Sequence, residues 1–414
     1  MTRRVVVTGF GVISPCGNTA PETWDNIKNG RSGVAHITHY DASQHNVKIA
    51  AEVKNFRPET VISSKEVRRR DRYQHLIAAA GKEAMESSGL QVTDANRSRI
   101  GVFIGSAVGG VSSFHKEVLS LEESGDLRQI TPFAIPMLMG NGGSAHISLD
   151  YGITGPSYVL TSACASGADN IGHAFNLIQM GKLDAALAGA GEAPIMAMGI
   201  AAFDRIGATS RDNDNPAEAS RPFSKDRVGL VFAEGAGVLV LEALESAKAR
   251  GANIYAELVG YGSTSDAFHI TAPEPQGAGA ARAITLALQD AHLTPQDVSY
   301  INAHGTATSL NDAMETKAVK SVFGEHAYRV PMSSTKSMTG HGMGMTAAIE
   351  AAFAVMAICD NVAPPTANYR EPDPDCDLDY VPNEARQLPI NLVMSNSFGF
   401  GGHNVSLIFR RFNA

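Results

Sequence analysis

The sequence predicts a mixed α/β fold built from two similar halves, and three observations support this. Strands alternate with helices along the chain, the pattern of sheets covered by helices. A buried strand running into glycines occurs twice, as Val5-Val6-Val7-Thr8-Gly9-Phe10-Gly11 and as Ala256-Glu257-Leu258-Val259-Gly260-Tyr261-Gly262. After each copy the order of elements recurs. This divides the chain into an N-terminal half, residues 1–252, and a C-terminal half, residues 253–414, within one compact body.

In the first half a helix with Leu76, Ile77, Ala80 and Ala84 on one face leads through Gly89-Leu90 to the strand Ile100 to Gly105. In the second, a helix with Ala280, Ala283, Ile284, Ala287, Leu288 and Ala291 leads through His292-Leu293 to the strand Tyr300 to Ala303. Next, the strand Tyr158 to Leu160 and the helix after Cys164 correspond to the strand Val330 to Met332 and the helix after Gly342. Ala185 to Gly189 then corresponds to Asn391 to Ser395, and Gly237 to Leu241 to Asn404 to Ile408. Insertions at about Ser14–Arg70 and Val111–Gly155 fall only in the first half, where such segments build an interface or a lid.

With 414 residues, 44% of them hydrophobic, the chain can bury a large core. A formal net charge of −8 argues against nucleic acid as the main partner, which needs a basic surface. The longest apolar stretch, Ala347 to Cys359, contains Glu350 and is too short to cross a bilayer. Thr2, Arg3 and Arg4 run straight into a strand without a secretory h-region, so a cytoplasmic location is expected. Cys16, Cys164, Cys359 and Cys376 are widely spaced with no CxxC, which fits neither a disulfide framework nor a zinc site.

Cys164, in Thr161-Ser162-Ala163-Cys164-Ala165-Ser166-Gly167, follows an apolar strand and precedes a helix. There, free N–H groups and the helix dipole are expected to lower the thiol pKa and to serve an oxyanion. A small buried structural cysteine is the alternative. His304 (Asn302 to Thr308) and His341 (Ser333 to Gly342) both follow strand ends, where α/β proteins place functional groups; each alone also fits a structural histidine. Glu350 is the only charge between Met343 and Cys359 and needs a partner, for which Lys336 is the natural candidate. Asn396 to Asn404 combines glycines with Phe398 and Phe400 and can bring backbone N–H groups to a ligand and swing an aromatic gate, or form a plain hairpin loop.

Together Thr161 to Gly167, Asn302 to Thr308, Lys336 to Gly342 and Asn396 to Asn404 resemble the β-ketoacyl-acyl-carrier-protein synthases, most closely the synthase II branch of dissociated bacterial fatty-acid synthesis. Ser220-Arg221-Pro222-Phe223, Glu234 to Gly237 and Val362 to Thr366 extend the resemblance nearly end to end. It implies a thiolase-like, five-layered αβαβα fold of two duplicated halves, a homodimer, and condensation of malonyl carrier protein with an acyl group held on Cys164. By the same resemblance Cys164 is the nucleophile, its own N–H and that of Phe400 form the oxyanion hole, His304 and His341 assist decarboxylation, and Lys336 and Glu350 support them. Thr271, Thr306 and Thr308 meet the phosphopantetheine arm, Phe203 and Phe398 border the substrate, and Val108 ends the acyl pocket. No separate cofactor or metal is implied. The acidic acyl carrier protein would dock on Lys65, Arg68, Arg69, Arg70, Arg128 and Arg205.

Val228-Gly229-Leu230 and Met343-Gly344-Met345-Thr346 depart from the usual family pattern around the acyl pocket without removing a catalytic group. A thiolase would carry a second cysteine in the C-terminal glycine loop, which this chain lacks. A condensing enzyme of polyketide or specialised lipid synthesis shares all these motifs. A non-catalytic partner subunit need not keep Cys164, His304 and His341 together. Dinucleotide binding rests only on Gly9-Phe10-Gly11, with Ser14 where the third glycine or alanine would stand.

Overall fold

The computed structural model describes residues 2–413. Nine strands make one mixed sheet system: β1 (Val5–Ile13), β2 (Ile100–Gly105), β3 (Ala185–Glu192), β4 (Gly235–Ala243), β5 (Ala256–Ser265), β6 (Tyr300–Asn302), β7 (Met332–Ser333), β8 (Leu392–Gly399) and β9 (His403–Arg410). Their spatial order is β2-β3-β4-β1-β5-β9-β8-β6-β7. Reading outward from β1 gives β4, β3, β2; reading outward from β5 gives β9, β8, β6, β7. The two runs therefore repeat one topology, joined where β1 and β5 pair antiparallel through Val5–Leu258 and Val7–Ala256.

The helices α1 (Arg72–Ser88), α2 (Gly142–Tyr151), α3 (Ser166–Gln179), α4 (Ala278–Asp290), α5 (Ser309–Phe323) and α6 (Gly344–Asp360) complete the layers. The first two cover the outer face of the β1–β4 run, and α4 covers the outer face of the β5–β9 run with α5 packed on it. Between the runs lie α3 and α6, each touching strands of both. This central placement explains why α6 is buried at every position from Gly344 to Ile358 and why its sequence is apolar all round rather than striped.

The repeated glycines have a packing reason. A Cβ on Gly11 would sit 2.0 Å from the carbonyl oxygen of Ala80 in α1, and one on Gly262 would sit 2.1 Å from that of Ala283 in α4. In each half the missing side chain lets the helix backbone lie directly on the strand. α1 itself begins with a capping box, Asp71 with Gln74, and ends at Gly89 in the left-handed region.

Two expected strands come out shorter. β7 starts only at Met332, because Pro331 has no N–H to give a ladder. Tyr158 to Leu160 is not a strand of the sheet: the chain makes one parallel bridge just before it, Ser157 to Val102, outside β2, in the place that β7 takes beside β6. Among the described residues no strand covers its far edge.

The first insertion returns to the core at Ala51, which accepts from Glu234 N–H and donates to Phe232 O at 2.7 Å. That same Val231–Ala233 segment hydrogen-bonds His341 on its other side, so the insertion backs the turn that carries His341. The second insertion leaves Phe114, Val118, Leu119 and Ile135 exposed.

Gly11→Val should destabilise the protein by about 3 kcal/mol, since the overpacked helix must move off the strand. Urea unfolding of wild type and variant checks this, and an unchanged midpoint would show that α1 does not depend on that close approach.

Candidate active site

Cys164 lies in a single 3-10 turn, Ala163–Ala165, that feeds α3. Ala163 adopts φ +50°, a left-handed conformation costly for a side-chain residue and one that aims the next residue out of the regular path. Side chains of the first turns of α3 hold the loop: Ser166 Oγ accepts from Ser162 N–H at 2.9 Å, Asn170 Oδ1 accepts from Leu160 N–H at 2.8 Å, and Asp169 accepts from the Ser162 hydroxyl. A Cβ on Gly399 would sit 2.9 Å from Ser162 O and 3.0 Å from Cys164 N, so only glycine lets the C-terminal loop come this close. That approach presents the backbone N–H groups of Phe400 and of Cys164 itself to the sulfur.

The thiol behaves differently from the expectation drawn from its place at a helix start. Burial pushes it up to about 11, and the Phe400 N–H and Lys336 only partly oppose this. Desolvation of an anion outweighs the helix terminus, and the resting group is a thiol. His341 Nε2 stands 3.1 Å from the sulfur, the group placed to exchange its proton.

His341 and His304 meet edge to face, ring centroids 5.4 Å apart, and both are buried. Burial and the nearby Lys336 charge lower His341 to about 3 and hold His304 well below its usual range, so both imidazoles are neutral at physiological pH. The ion pair expected from the sequence forms: Lys336 Nζ donates to Glu350 at 2.7 and 2.8 Å with both side chains 1% exposed, and Thr335 adds a third bond to the carboxylate. Nζ also reaches Ala303 O at 3.5 Å, tying the pair to the residue before His304.

Two buried carboxylates escaped the sequence reading. Glu315 in α5 accepts from the N–H groups of His304 and Gly305, both at 2.8 Å, and fixes that turn; burial raises it to about 7. Glu192 ends β3 close to Cys164. Glu315 belongs to a helix with a mixed polar sequence, where nothing in the pattern separates a buried acid from a solvated one.

Cys164, His304 and His341 line one cavity of ≈ 390 Å³, with Thr271, Thr306, Thr308, Phe203, Phe398 and Phe400 among its walls. Phe400 stacks on Phe203 at 5.8 Å. The glycine loop is tied to the neighbouring 266–270 segment by Gly401 N–H on Ile270 O at 2.7 Å and by Asn404 on Asp266 at 2.7 Å. Val108 is not part of this cavity and is 38% exposed. Among the expected docking residues Lys65, Arg68, Arg128 and Arg205 are exposed, with Arg128 held by Asp126. Arg69 is half-buried over the Phe133 ring. Arg70 corrects the expectation: its guanidinium is buried on Asp150 at 2.6 Å and Glu66 at 3.3 Å, so it braces α2 and does not face a partner. No group of three or more His, Cys, Asp or Glu among the described residues is arranged to hold a metal ion.

Residues 2–247 match the family described as beta-ketoacyl synthase, N-terminal domain, and residues 255–370 match its C-terminal domain. The chain belongs to the β-ketoacyl synthase family. It is 48% identical over 412 residues to the 3-oxoacyl-[acyl-carrier-protein] synthase 2 of Staphylococcus aureus (strain N315), covering 100% of this chain and 99% of that protein. It is 47% identical over 410 residues to the synthase 2 of Synechocystis sp., covering 99% and 98%. A solved β-ketoacyl synthase from Burkholderia phymatum STM815 superposes with a TM-score of 0.91 at 38% identity over 99% of this chain and 100% of that one. A ketosynthase solved in complex with the acyl-carrier protein of a type II polyketide system gives 0.92 at 36% identity, with 100% of both chains covered. The fold is thus the thiolase-like architecture of the ketosynthases, five layers from two duplicated halves.

Because the resting group is a thiol, alkylation of Cys164 by iodoacetamide should keep accelerating as pH rises toward about 11. A rate that levels off near neutrality, followed by mass spectrometry of the Cys164 peptide, would show a thiolate already formed.

Proposed function

We propose that this chain is a 3-oxoacyl-[acyl-carrier-protein] synthase that lengthens fatty acyl chains by two carbons. The observation that carries this reading is the convergence of Cys164, His304 and His341 on one cavity beside two backbone N–H donors. The 48% identity over the full chain to a synthase 2 favours fatty-acid elongation over polyketide assembly, represented by the 36% relative.

Acyl carrier protein delivers the acyl thioester on its phosphopantetheine arm, which Thr271, Thr306 and Thr308 receive along the cavity wall. His341 takes the Cys164 proton as sulfur attacks the acyl carbonyl. The Cys164 and Phe400 N–H groups hold the oxyanion, which matters most in a site this dry. The carrier thiol then leaves with the proton, and the acyl group stays on Cys164.

Malonyl carrier protein enters next. Its carboxylate–carbon bond breaks, carbon dioxide departs, and the electron pair forms an enolate at the thioester. Neutral His304 and His341 stabilise that enolate by hydrogen bonding to its oxygen. The carbanion attacks the acyl thioester, the new carbon–carbon bond forms, and Cys164 leaves as a thiolate that takes up a proton from solvent, replacing the one the carrier thiol carried off. Lys65, Arg68, Arg69, Arg128 and Arg205 offer the basic face for the acidic carrier despite the overall charge of −8. The uncovered edge at Ser157 to Leu160 and the exposed Phe114, Val118 and Leu119 support a homodimer.

Cys164→Ala should abolish transfer of the acyl group, read as loss of the mass gain on intact protein. His304→Ala should still acylate but lose condensation by about a hundredfold or more, whereas His341→Ala should slow both steps, because His341 alone of the two rings touches the sulfur. Rapid condensation by the Cys164 variant would sink the mechanism.

A further inference from the structure

Asp169, in the first turn of α3, is buried, and its two oxygens take hydroxyl groups from the two different halves of the chain. Oδ2 accepts from the hydroxyl of Ser162, two residues before the cysteine. Oδ1 accepts at 2.6 Å from the hydroxyl of Tyr261, which belongs to β5 in the second half. The Tyr261 ring packs on α3 at Gly172, where a Cβ would fall 2.3 Å from ring carbon Cδ2, so the missing side chain makes room for it. Its backbone is held as well, with N–H on the Asp290 carboxylate at 3.0 Å and a register partner, Leu407, in β9. Burial and the Asp169 carboxylate raise the Tyr261 phenol, which therefore stays a donor. Hydrogen bonds to a carboxylate are about twice as strong as those between neutral groups, so the bridge is firm.

The bridge ends where the backbone donors beside the sulfur are set. Ser162 O accepts from Ala165 N–H at 3.1 Å and closes the turn in which Ala163 holds φ +50°, a conformation that persists only where its surroundings over-determine it. The Gly399 backbone lies against that same carbonyl and against Cys164 N. Of the two N–H groups at the sulfur, one is in the first half, at Cys164, and the other is in the second, at Phe400 between β8 and β9. Their spacing depends on how the halves are held at this seam. Tyr261, Asp169 and Ser162 form a tie across it, anchored in the strand that pairs with β9. These three residues do not line the cavity, so their effect on the reaction passes through the atoms they hold.

We infer that Asp169 is a positioning residue for the oxyanion hole: pinned to the second half by Tyr261, it holds Ser162 so that the N–H groups of Cys164 and Phe400 converge on one point. The inference rests on the reading that Cys164 takes an acyl group through a tetrahedral intermediate. Two donors that must meet one oxygen lose most of their benefit when either is misplaced, and a tie between the halves fixes both at once.

The test measures the rate of Cys164 acylation against acyl carrier protein concentration in wild type, Ser162→Ala, Tyr261→Phe and the double variant, with thermal melting to establish folding. Ser162→Ala should lower the maximal rate by about tenfold, a fraction of the hundredfold or more that a lost oxyanion donor costs, and leave the half-saturating concentration unchanged. Tyr261→Phe keeps the ring on Gly172 and should lower the maximal rate in the same way by less. The double variant should be no slower than Ser162→Ala, because both hydroxyls act through one carboxylate. Folded variants that melt earlier yet keep the wild-type maximal rate would reduce the tie to a structural role and overturn the inference, as would a change confined to the half-saturating concentration. A wild-type protein that takes no acyl group on Cys164 from any carrier would overturn the proposed function and this inference with it, a result distinct from failure in the variants alone.

Discussion

Exclusion of water at the seam between the two duplicated halves is the constraint on which the rest of the structure depends. Cys164, His304 and His341 come from three separate loops, and each is held uncharged because burial penalises its ionised form. The permanent charge among them, Lys336, is neutralised at 2.7 Å by Glu350, and removing either partner would strand a buried charge at a cost of about 3–5 kcal/mol. In the proposed reaction the dry environment would strengthen each hydrogen bond that meets a developing oxyanion or enolate. It would also keep water from the carbanion and from the acyl thioester.

Duplication brings those loops together. The parallel strands β6 and β7 end on the same side, so the segment after β6 presents His304 and the segment after β7 presents His341. The corresponding end of the first half presents Cys164 at the start of α3. The insertion that reaches Ala51 then braces the His341 turn through Val231 to Ala233. Fold and site are one arrangement: the helices that lie between the two runs of strands, α3 and α6, are also those whose starts flank Cys164.

Much of this was legible in the sequence. The paired glycine strands, the helices packed on them and the Lys336–Glu350 pair follow from periodicity and from the need of a lone charge in an apolar helix for a partner. Less legible was the balance of opposing effects on Cys164: the helix start was visible, the completeness of burial was not, and burial wins. Arg70 read as one of a basic run, yet it alone turns inward to Asp150. Glu192 and Glu315 could not be separated from solvated acids because their partners are backbone N–H groups of distant loops. Tyr158 to Leu160 read as a strand, but β2 bridges only to Ser157 just before it.

The most direct test of a site kept neutral by burial is an NMR titration of the wild-type protein with its histidines labelled at the ring nitrogens. His341 should remain neutral until the pH falls toward about 3, and His304 should stay uncharged far below the ordinary value of 6.5. A midpoint near 6.5 for either ring would contradict the claim, since it would mean that water or a compensating charge reaches the imidazoles in the resting protein.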